Sequence, residues 1–192
     1  MQTASGPVTE RLEARRATIG EGFEIRRAVP NRRRRTIGAW CFLDHAGPAD
    51  YAAGRGLNIG PHPHIGLQTF TWMIEGAVLH RDSLGCEQLT HPAQVNLMRG
   101  GRGLSHAEES PVDRPGRLHL AQLWIALPDA ERHREPDFRH YPILPVLERG
   151  GFRVRVVGGT CDGATAPAKV FTPLVGVDLA ATGAARTSLP LD

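Results

Sequence analysis

The chain has 192 residues, of which 41% are hydrophobic and 22% are charged. A chain of this length and composition can bury a substantial core, which excludes disorder of the whole chain and suits one domain, or one domain with part of a second. Its 23 basic and 20 acidic side chains are mostly mixed and leave a net charge of +3, so nucleic-acid binding gains little support.

Glycine and proline are abundant, with 22 and 15 copies, whereas only 6% of the residues are aromatic. Many short elements joined by tight turns are typical of such a composition, which favours an all-β fold. The longest apolar runs, such as Leu120 to Leu127, are interrupted by polar residues and fall short of the roughly 20 residues that a membrane helix needs. No membrane helix is therefore predicted.

The N-terminus and the cysteines bear on the compartment. Met1 to Glu10 lacks a basic stretch followed by an apolar core, so no signal peptide is predicted. Cys41, Cys86 and Cys161 are odd in number and widely spaced, which argues against a disulfide framework. We therefore expect a cytoplasmic protein whose cysteines are thiols.

In chain order, the first predicted strand is Phe23 to Val29, where apolar and charged residues alternate until a Pro-Asn pair breaks the run. We interpret the next four residues, Arg32 to Arg35, as a solvated turn, with a contact patch for an acidic partner or a nucleic acid as the alternative. Another strand is predicted from Thr36 to Leu43. The stretch from Asp44 to Pro61 is rich in Gly, Pro and Ala without periodicity, and predicts a long surface loop.

Four further strands are rich in β-branched and apolar residues and are predicted at Gly66 to Ile74, Ala77 to Arg81, Gln94 to Met98 and Leu118 to Leu127. Helix is limited to one turn after Pro128. This spacing of short strands predicts a small barrel or sandwich.

The sequence changes character after residue 140. Tyr141 to Pro145 resembles a linker, and Gly151 to Gly159 predicts a strand of a new hairpin. The remaining residues, about fifty in number, are too few for an independent barrel. We therefore predict a metal-binding β-barrel domain over residues 1–140 and a linker with a partial second unit over residues 141–192.

Two short motifs place metal-binding side chains two residues apart. His62 and His64 form one pair, His106 and Glu108 form the other, and on a strand this spacing puts both members of a pair on the same face. If the two strands are neighbours, three imidazole nitrogens and one carboxylate oxygen meet inside the barrel. One such pair alone would more often be structural, but two matched pairs predict a metal site.

This donor set suits borderline divalent metals and leaves coordination positions for water, dioxygen or a substrate oxygen, which favours Fe(II). Zn(II), Mn(II), Ni(II), Co(II) and Cu(II) remain open, because the ligands alone do not separate them.

The order Gly56-x5-His62-x-His64 followed by His106-x-Glu108 resembles the two-part cupin signature. A closer resemblance, to the pirin family, covers about residues 36–128 and is carried by five segments, AWCFLDH (39–45), PHPHIG (61–66), HRDS (80–83), GRGLSHAE (101–108) and LW (123–124). The resemblance implies a cupin-type jelly-roll barrel, the start of a second, incomplete cupin-like unit, and one iron held by His62, His64, His106 and Glu108.

The sequence departs from the pirin pattern at Gln68, where most pirins and cupins carry a glutamate. We expect metal binding to survive this change, with an altered charge near the site. The other departure is length, since family members usually complete the second barrel.

Four large apolar residues could line a pocket, although a core role is commoner for such residues, namely Phe70, Trp72, Met98 and Trp124. Phe70 is the best candidate, because it has the same strand parity as His64 and Gln68. His45 and His80 are expected to make structural hydrogen bonds.

The resemblance implies a metal-dependent dioxygenase that cleaves a flavonol such as quercetin, with a small aromatic substrate, dioxygen, and Glu108 as the general base. The alternative is a metal- and redox-dependent regulatory protein that binds a transcription factor or a metabolic enzyme through Arg32 to Arg35. A non-oxidative cupin such as a sugar isomerase is a third hypothesis, which the pirin motifs oppose.

Overall fold

A computed structural model describes residues 10–190 of the chain. The prediction that Met1 to Glu10 contains no signal peptide concerns residues that, apart from Glu10, lie outside this range. In this range the protein is all-β. The first eleven strands are β1 (Arg15–Ile19), β2 (Phe23–Val29), β3 (Trp40–Tyr51), β4 (Asn58–His64), β5 (Leu67–Glu75), β6 (Val78–Asp82), β7 (Glu87–Thr90), β8 (Val95–Arg99), β9 (Leu104–Glu109), β10 (Gly116–Ala126) and β11 (Asp137–Tyr141). The next five are β12 (Val146–Arg149), β13 (Phe152–Gly158), β14 (Thr160–Cys161), β15 (Ala164–Thr165) and β16 (Gly176–Ala180). Residues 10–190 contain no helix long and apolar enough to cross a membrane.

Two antiparallel sheets enclose the main core. The larger has seven strands in the order β1-β2-β3-β10-β5-β8-β11, and the smaller has four in the order β4-β9-β6-β7. Buried side chains from both sides fill the space between them, namely Ile25, Ala46, Leu57, Met73, Val78, Leu118 and Leu120. Two sheets packed face to face over one core form a jelly roll. The predicted all-β, cupin-type fold is confirmed, as a sandwich in which no strand ladder of the described residues joins the two sheets.

Strand β2 shows how the local sequence determines an element. The predicted strand Phe23 to Val29 is confirmed at both ends. Ile25 and Val29 are buried on the inner face, whereas Glu24 and Arg26 are exposed on the outer face. The alternation of apolar and charged residues is therefore the alternation of the two faces of the sheet.

The loop predicted from Asp44 to Pro61 is wrong for most of its length. β3 continues to Tyr51 and pairs with β2 on one side and β10 on the other, and β4 begins at Asn58. The small and polar residues of this stretch conceal a strand, because Asp44 is buried through an ion pair with Arg27 on the neighbouring strand. Periodicity along the chain does not reveal such a contact. The strand predicted from Thr36 begins only at Trp40.

The chain after β11 forms a three-stranded sheet, in the order β12-β13-β16, and the small ladder β14-β15. The strand predicted over Gly151 to Gly159 corresponds to β13. This segment covers the outer face of the seven-stranded sheet, through one apolar cluster that includes Phe70, Trp72, Ile125, Leu144, Val157 and Ala168. The division into domains at residue 140 stays a prediction.

Candidate metal centre

The two predicted motifs lie on adjacent strands. His62 and His64 are in β4, and His106 and Glu108 are in β9, which pairs with β4 in antiparallel register. His62 is directly opposite His106 in this ladder. All four side chains line the same cavity between the two sheets. The structure therefore brings the four predicted residues together.

Three imidazoles converge in the wall of the cavity. The ring centroid of His62 is 4.9 Å from that of His64 and 4.4 Å from that of His106, and the last two centroids are 5.0 Å apart. One ring nitrogen from each histidine lies within 4.8 Å of the others. Because a metal ligated at about 2.1 Å holds its nitrogens at most about 4.2 Å apart, only small side-chain shifts separate this arrangement from ligation.

Glu108 is close to the three histidines because its carboxylate lies near His106. Its carboxylate belongs with His80 and His106 to a second set whose ligand atoms lie within 4.8 Å of one another. Burial raises the pKa of Glu108 to about 7, and a hydrogen bond from the Thr71 hydroxyl opposes this shift. That hydroxyl is 3.4 Å from Glu108 Oε1 but 2.8 Å from Gln122 Oε1, so its single proton favours Gln122. Glu108 is therefore buried with little compensation.

The buried histidines favour the neutral form. Burial lowers the pKa of His64 to about 4, and the neighbouring His62 contributes to the shift. Burial lowers the pKa of His106 to about 2, with smaller contributions from the histidines around it. Neutral imidazole is the form that binds a metal. These two rings therefore need no deprotonation before they bind one.

The hydrogen bonds of the ring nitrogens also suit metal binding. His62 Nδ1 donates to the carbonyl oxygen of Gly60 at 2.9 Å, which leaves its Nε2 as an acceptor. His106 Nε2 is buried and has no hydrogen-bond partner in the described part of the chain. A buried nitrogen lone pair without a donor is costly unless something binds it. Imidazole nitrogens with one carboxylate oxygen are a suitable donor set for a divalent transition metal.

The cavity next to these ligands has a volume of about 300 Å³ and mostly apolar walls. The rings of Phe42 and Trp124 stack there, with centroids 4.0 Å apart and an angle of 12° between planes. Trp124 also packs edge-on against His64, at 5.0 Å between centroids. A flat aromatic wall therefore leads directly to the histidines.

The cavity wall also carries an ion pair between Arg27 and Asp44 that was not predicted from the sequence. Arg27 Nε and Nη2 each donate to a different Asp44 oxygen at 2.7 Å, and the guanidinium carbon lies 4.5 Å from the Phe42 ring centroid. Arg27 could have been found from the sequence, because it lies two residues after Ile25 in β2 and its side chain is therefore on the same inner face. Asp44 gave no such signal, because it fell in the stretch predicted as a loop.

Gln68 and Phe70 lie outside the site, contrary to the parity argument. The chain passes from the smaller to the larger sheet at Gly66, which has φ +69°, so parity does not carry over from β4 to β5. Gln68 Nε2 donates to the Lys169 carbonyl oxygen at 3.0 Å on the outer face, and Phe70 is fully buried in the cluster there. Of the four apolar residues considered, only Trp124 lines the cavity.

His45 and His80 both make hydrogen bonds, as expected. His45 Nε2 lies 2.7 Å from His119 Nε2, away from the cavity. His80 Nδ1 lies 3.2 Å from His106 Nδ1, which puts it directly behind a predicted ligand.

Comparison with known proteins agrees with this architecture. A crystal structure of quercetin 2,3-dioxygenase from Acinetobacter baumannii matches with a TM-score of 0.87 and 59% identity, over 88% of this chain and 56% of that one. A Pseudomonas aeruginosa protein provisionally named a quercetin 2,3-dioxygenase is 52% identical over 183 residues, which are 95% of this chain and 58% of the relative. A pirin-like protein of Caulobacter vibrioides is 38% identical over 170 residues, 85% of this chain and 59% of its own length.

The chain thus spans less than two thirds of the length of these relatives. The family model for pirin matches residues 22–125, which include both strands of the metal centre and most of the cavity wall. Taken with the 52% identity to one relative, this match shows that the chain belongs to the pirin family.

Proposed function

We propose that this chain binds one divalent transition metal, foremost Fe(II), through His62, His64, His106 and Glu108, and acts as a dioxygenase on a flavonol such as quercetin. The observation that carries the proposal is the apolar cavity of about 300 Å³ beside three converging imidazoles. The names of two similar proteins support the reaction class. When bound, such a metal supplies Lewis-acid and one-electron redox chemistry.

The cavity suits a flat aromatic molecule. Its volume is near the lower end of the range for small-molecule sites. The stacked rings of Phe42 and Trp124 offer a planar wall, and Leu57 and Leu120 add apolar surface. These walls would exclude water and hold the substrate in one orientation, which lowers the entropic part of the barrier.

Glu108 is the residue that we assign to proton transfer. Glu108 is the carboxylate among the four proposed ligands and lines the cavity, so one of its oxygens can face the substrate and accept a proton. The flavonol hydroxyl would give its proton to a Glu108 oxygen. Gln68 has no part in this step, because it lies on the other face of the sheet.

Arg27 would orient the polar end of the substrate. Its Nε and one Nη2 hydrogen are used by Asp44, and guanidinium has three further N–H donors. These are available on the cavity wall for a hydroxyl or phenolate oxygen.

The test is oxygen consumption by anaerobically prepared, Fe(II)-loaded protein across a flavonoid panel, with His62→Ala as the control. We expect flavonol-dependent oxygen uptake by the loaded protein and loss of that uptake in the variant. A protein that holds metal but consumes no oxygen with any flavonol would contradict the enzyme proposal.

That second result would favour a metal-dependent regulatory protein. The structural observation behind this candidate is the exposure of Arg32 to Arg35, which are separated by two residues from the end of β2, the strand that also carries Arg27 into the cavity. A change in the site could reach this basic surface through one strand.

A further inference from the structure

A line of three side chains extends from the candidate metal centre into the smaller sheet. His106 in β9 is adjacent to His80 and Asp82 in β6, a neighbouring strand of the ladder. His106 Nδ1 is 3.2 Å from His80 Nδ1, and His80 Nε2 is 3.1 Å from Asp82 Oδ2. The side chains therefore form a continuous hydrogen-bonded chain behind one ligand.

Packing and hydrogen bonds hold His80 and Asp82, the two members of this chain behind His106, in place. The side chains of His80 and Asp82 are 3% and 0% exposed. The Phe138 ring stacks on His80, with centroids 4.3 Å apart and 15° between planes. Asp82 Oδ1 accepts from the backbone N–H groups of Leu84 and Cys86 at 2.9 and 3.1 Å. Neither side chain can turn away without losing these contacts.

The proton positions follow from counting donors. A carboxylate only accepts, so the proton of neutral His80 must be on Nε2, facing Asp82. His80 Nδ1 is then an acceptor, and the proton of His106 must be on Nδ1, facing His80. His106 Nε2 is left with a bare lone pair, and this is the buried nitrogen that has no partner among residues 10–190.

We propose that His80 and Asp82 are positioning residues that hold His106 in its metal-binding tautomer. The inference rests on the proposed metal site. Asp82 also makes His106 a stronger electron donor, because its negative charge acts through two aligned hydrogen bonds. His62 differs, since its Nδ1–H is held only by a neutral backbone carbonyl.

His80 is not itself a ligand in this account, although its ring belongs to a set of possible ligands with His106 and Glu108. Both of its nitrogens are already engaged, one by His106 and the other by Asp82.

The substitution Asp82→Asn tests the proposal with almost no change of shape. The amide oxygen must keep accepting from the backbone of Leu84 and Cys86, so the amide N–H would face His80 Nε2. That donor forces the His80 proton onto Nδ1, and the His106 proton then moves to Nε2, where it blocks the lone pair. The matched control is Glu87→Gln, which removes the same charge from an exposed position on the same hairpin.

Two measurements read the result. Ring-nitrogen chemical shifts of ¹⁵N-histidine in the metal-free protein give the tautomers. In Asp82→Asn we expect the His80 proton to move from Nε2 to Nδ1 and the His106 proton to move from Nδ1 to Nε2. In Glu87→Gln we expect neither proton to move. Competition with a chromophoric chelator gives the Co(II) affinity, and we expect a loss of about 10–100-fold in Asp82→Asn alone.

Unchanged tautomers, or a Co(II) affinity equal to that of the control variant, would overturn the proposal. If the unsubstituted protein binds no Co(II), the proposed metal site fails, while the chemical shifts still decide whether Asp82 sets the tautomer of His106.

Discussion

The four predicted ligands differ in how firmly their partners fix them. His62 is held by a backbone carbonyl and His106 by the His80–Asp82 chain, whereas the Thr71 hydroxyl near Glu108 is shared with Gln122. Glu108 is therefore the ligand whose protonation should respond most to pH near neutrality.

Below pH 7 the metal must displace a proton from Glu108, because burial raises the pKa of this carboxyl to about 7. The apparent Co(II) affinity should therefore fall as the pH decreases from 7. For each pH unit, this fall should be about tenfold larger in the original protein than in Glu108→Gln. Chelator competition between pH 5.5 and 8 measures both slopes. Glu109→Gln, on the same strand but with a side chain that is 43% exposed, is the control and should keep the original slope. Equal slopes in all three proteins would show that Glu108 takes no part in binding.

Gln68 should matter for stability and not for metal. In Gln68→Glu a buried carboxylate would replace the amide that donates to the Lys169 carbonyl, at a cost of about 1–3 kcal/mol in the free energy of unfolding. Urea unfolding and metal analysis of the same samples check this. A variant with normal stability and altered metal affinity would place position 68 back at the site.

At the scale of elements, prediction succeeded where one strand's own pattern determines its faces. β2, and the shared face of the two members within each motif pair, were predicted because alternation and the two-residue spacing are local signals. β3 was missed beyond Leu43, because a buried Asp44 makes sense only beside Arg27. Gln68 and Phe70 were misplaced because a single glycine transfers the chain to the other sheet.

The ion pair between Arg27 and Asp44 joins β2 to β3, where the two residues are directly opposite each other. Arg27→Met should destabilise the protein by about 3 kcal/mol, because it leaves a buried carboxylate unpaired. The double variant Arg27→Met/Asp44→Asn should recover part of this loss in thermal and urea unfolding. If the double variant is as unstable as the sum of the two single variants, the pair does not couple the strands.

At the scale of the whole molecule, the seven-stranded sheet serves two regions through its two faces. In β5, Thr71 faces the candidate metal centre, while the adjacent Phe70 and Trp72 face the C-terminal segment. Loss of that segment would expose the outer face without removing a predicted ligand.

Residues 1–140 alone should therefore bind metal but be less stable and more prone to aggregation than the full chain, because the apolar outer face is uncovered. Residues 141–192 alone should give a poorly dispersed NMR spectrum, since their small sheets bury too little apolar area to offset the ordering entropy. A dispersed spectrum with cooperative unfolding of the isolated segment would show that it is a complete domain.

The central claim is that the histidines of β4 and β9 hold one metal per chain. The most direct test is elemental analysis of anaerobically Fe(II)-loaded protein after gel filtration, comparing His62→Ala/His106→Ala with His91→Ala/His133→Ala, which removes two exposed histidines. We predict close to one metal per chain in the original protein and in the control, and almost none in the first variant, because two of four ligands cannot hold the ion. Unchanged metal content in His62→Ala/His106→Ala would contradict the account.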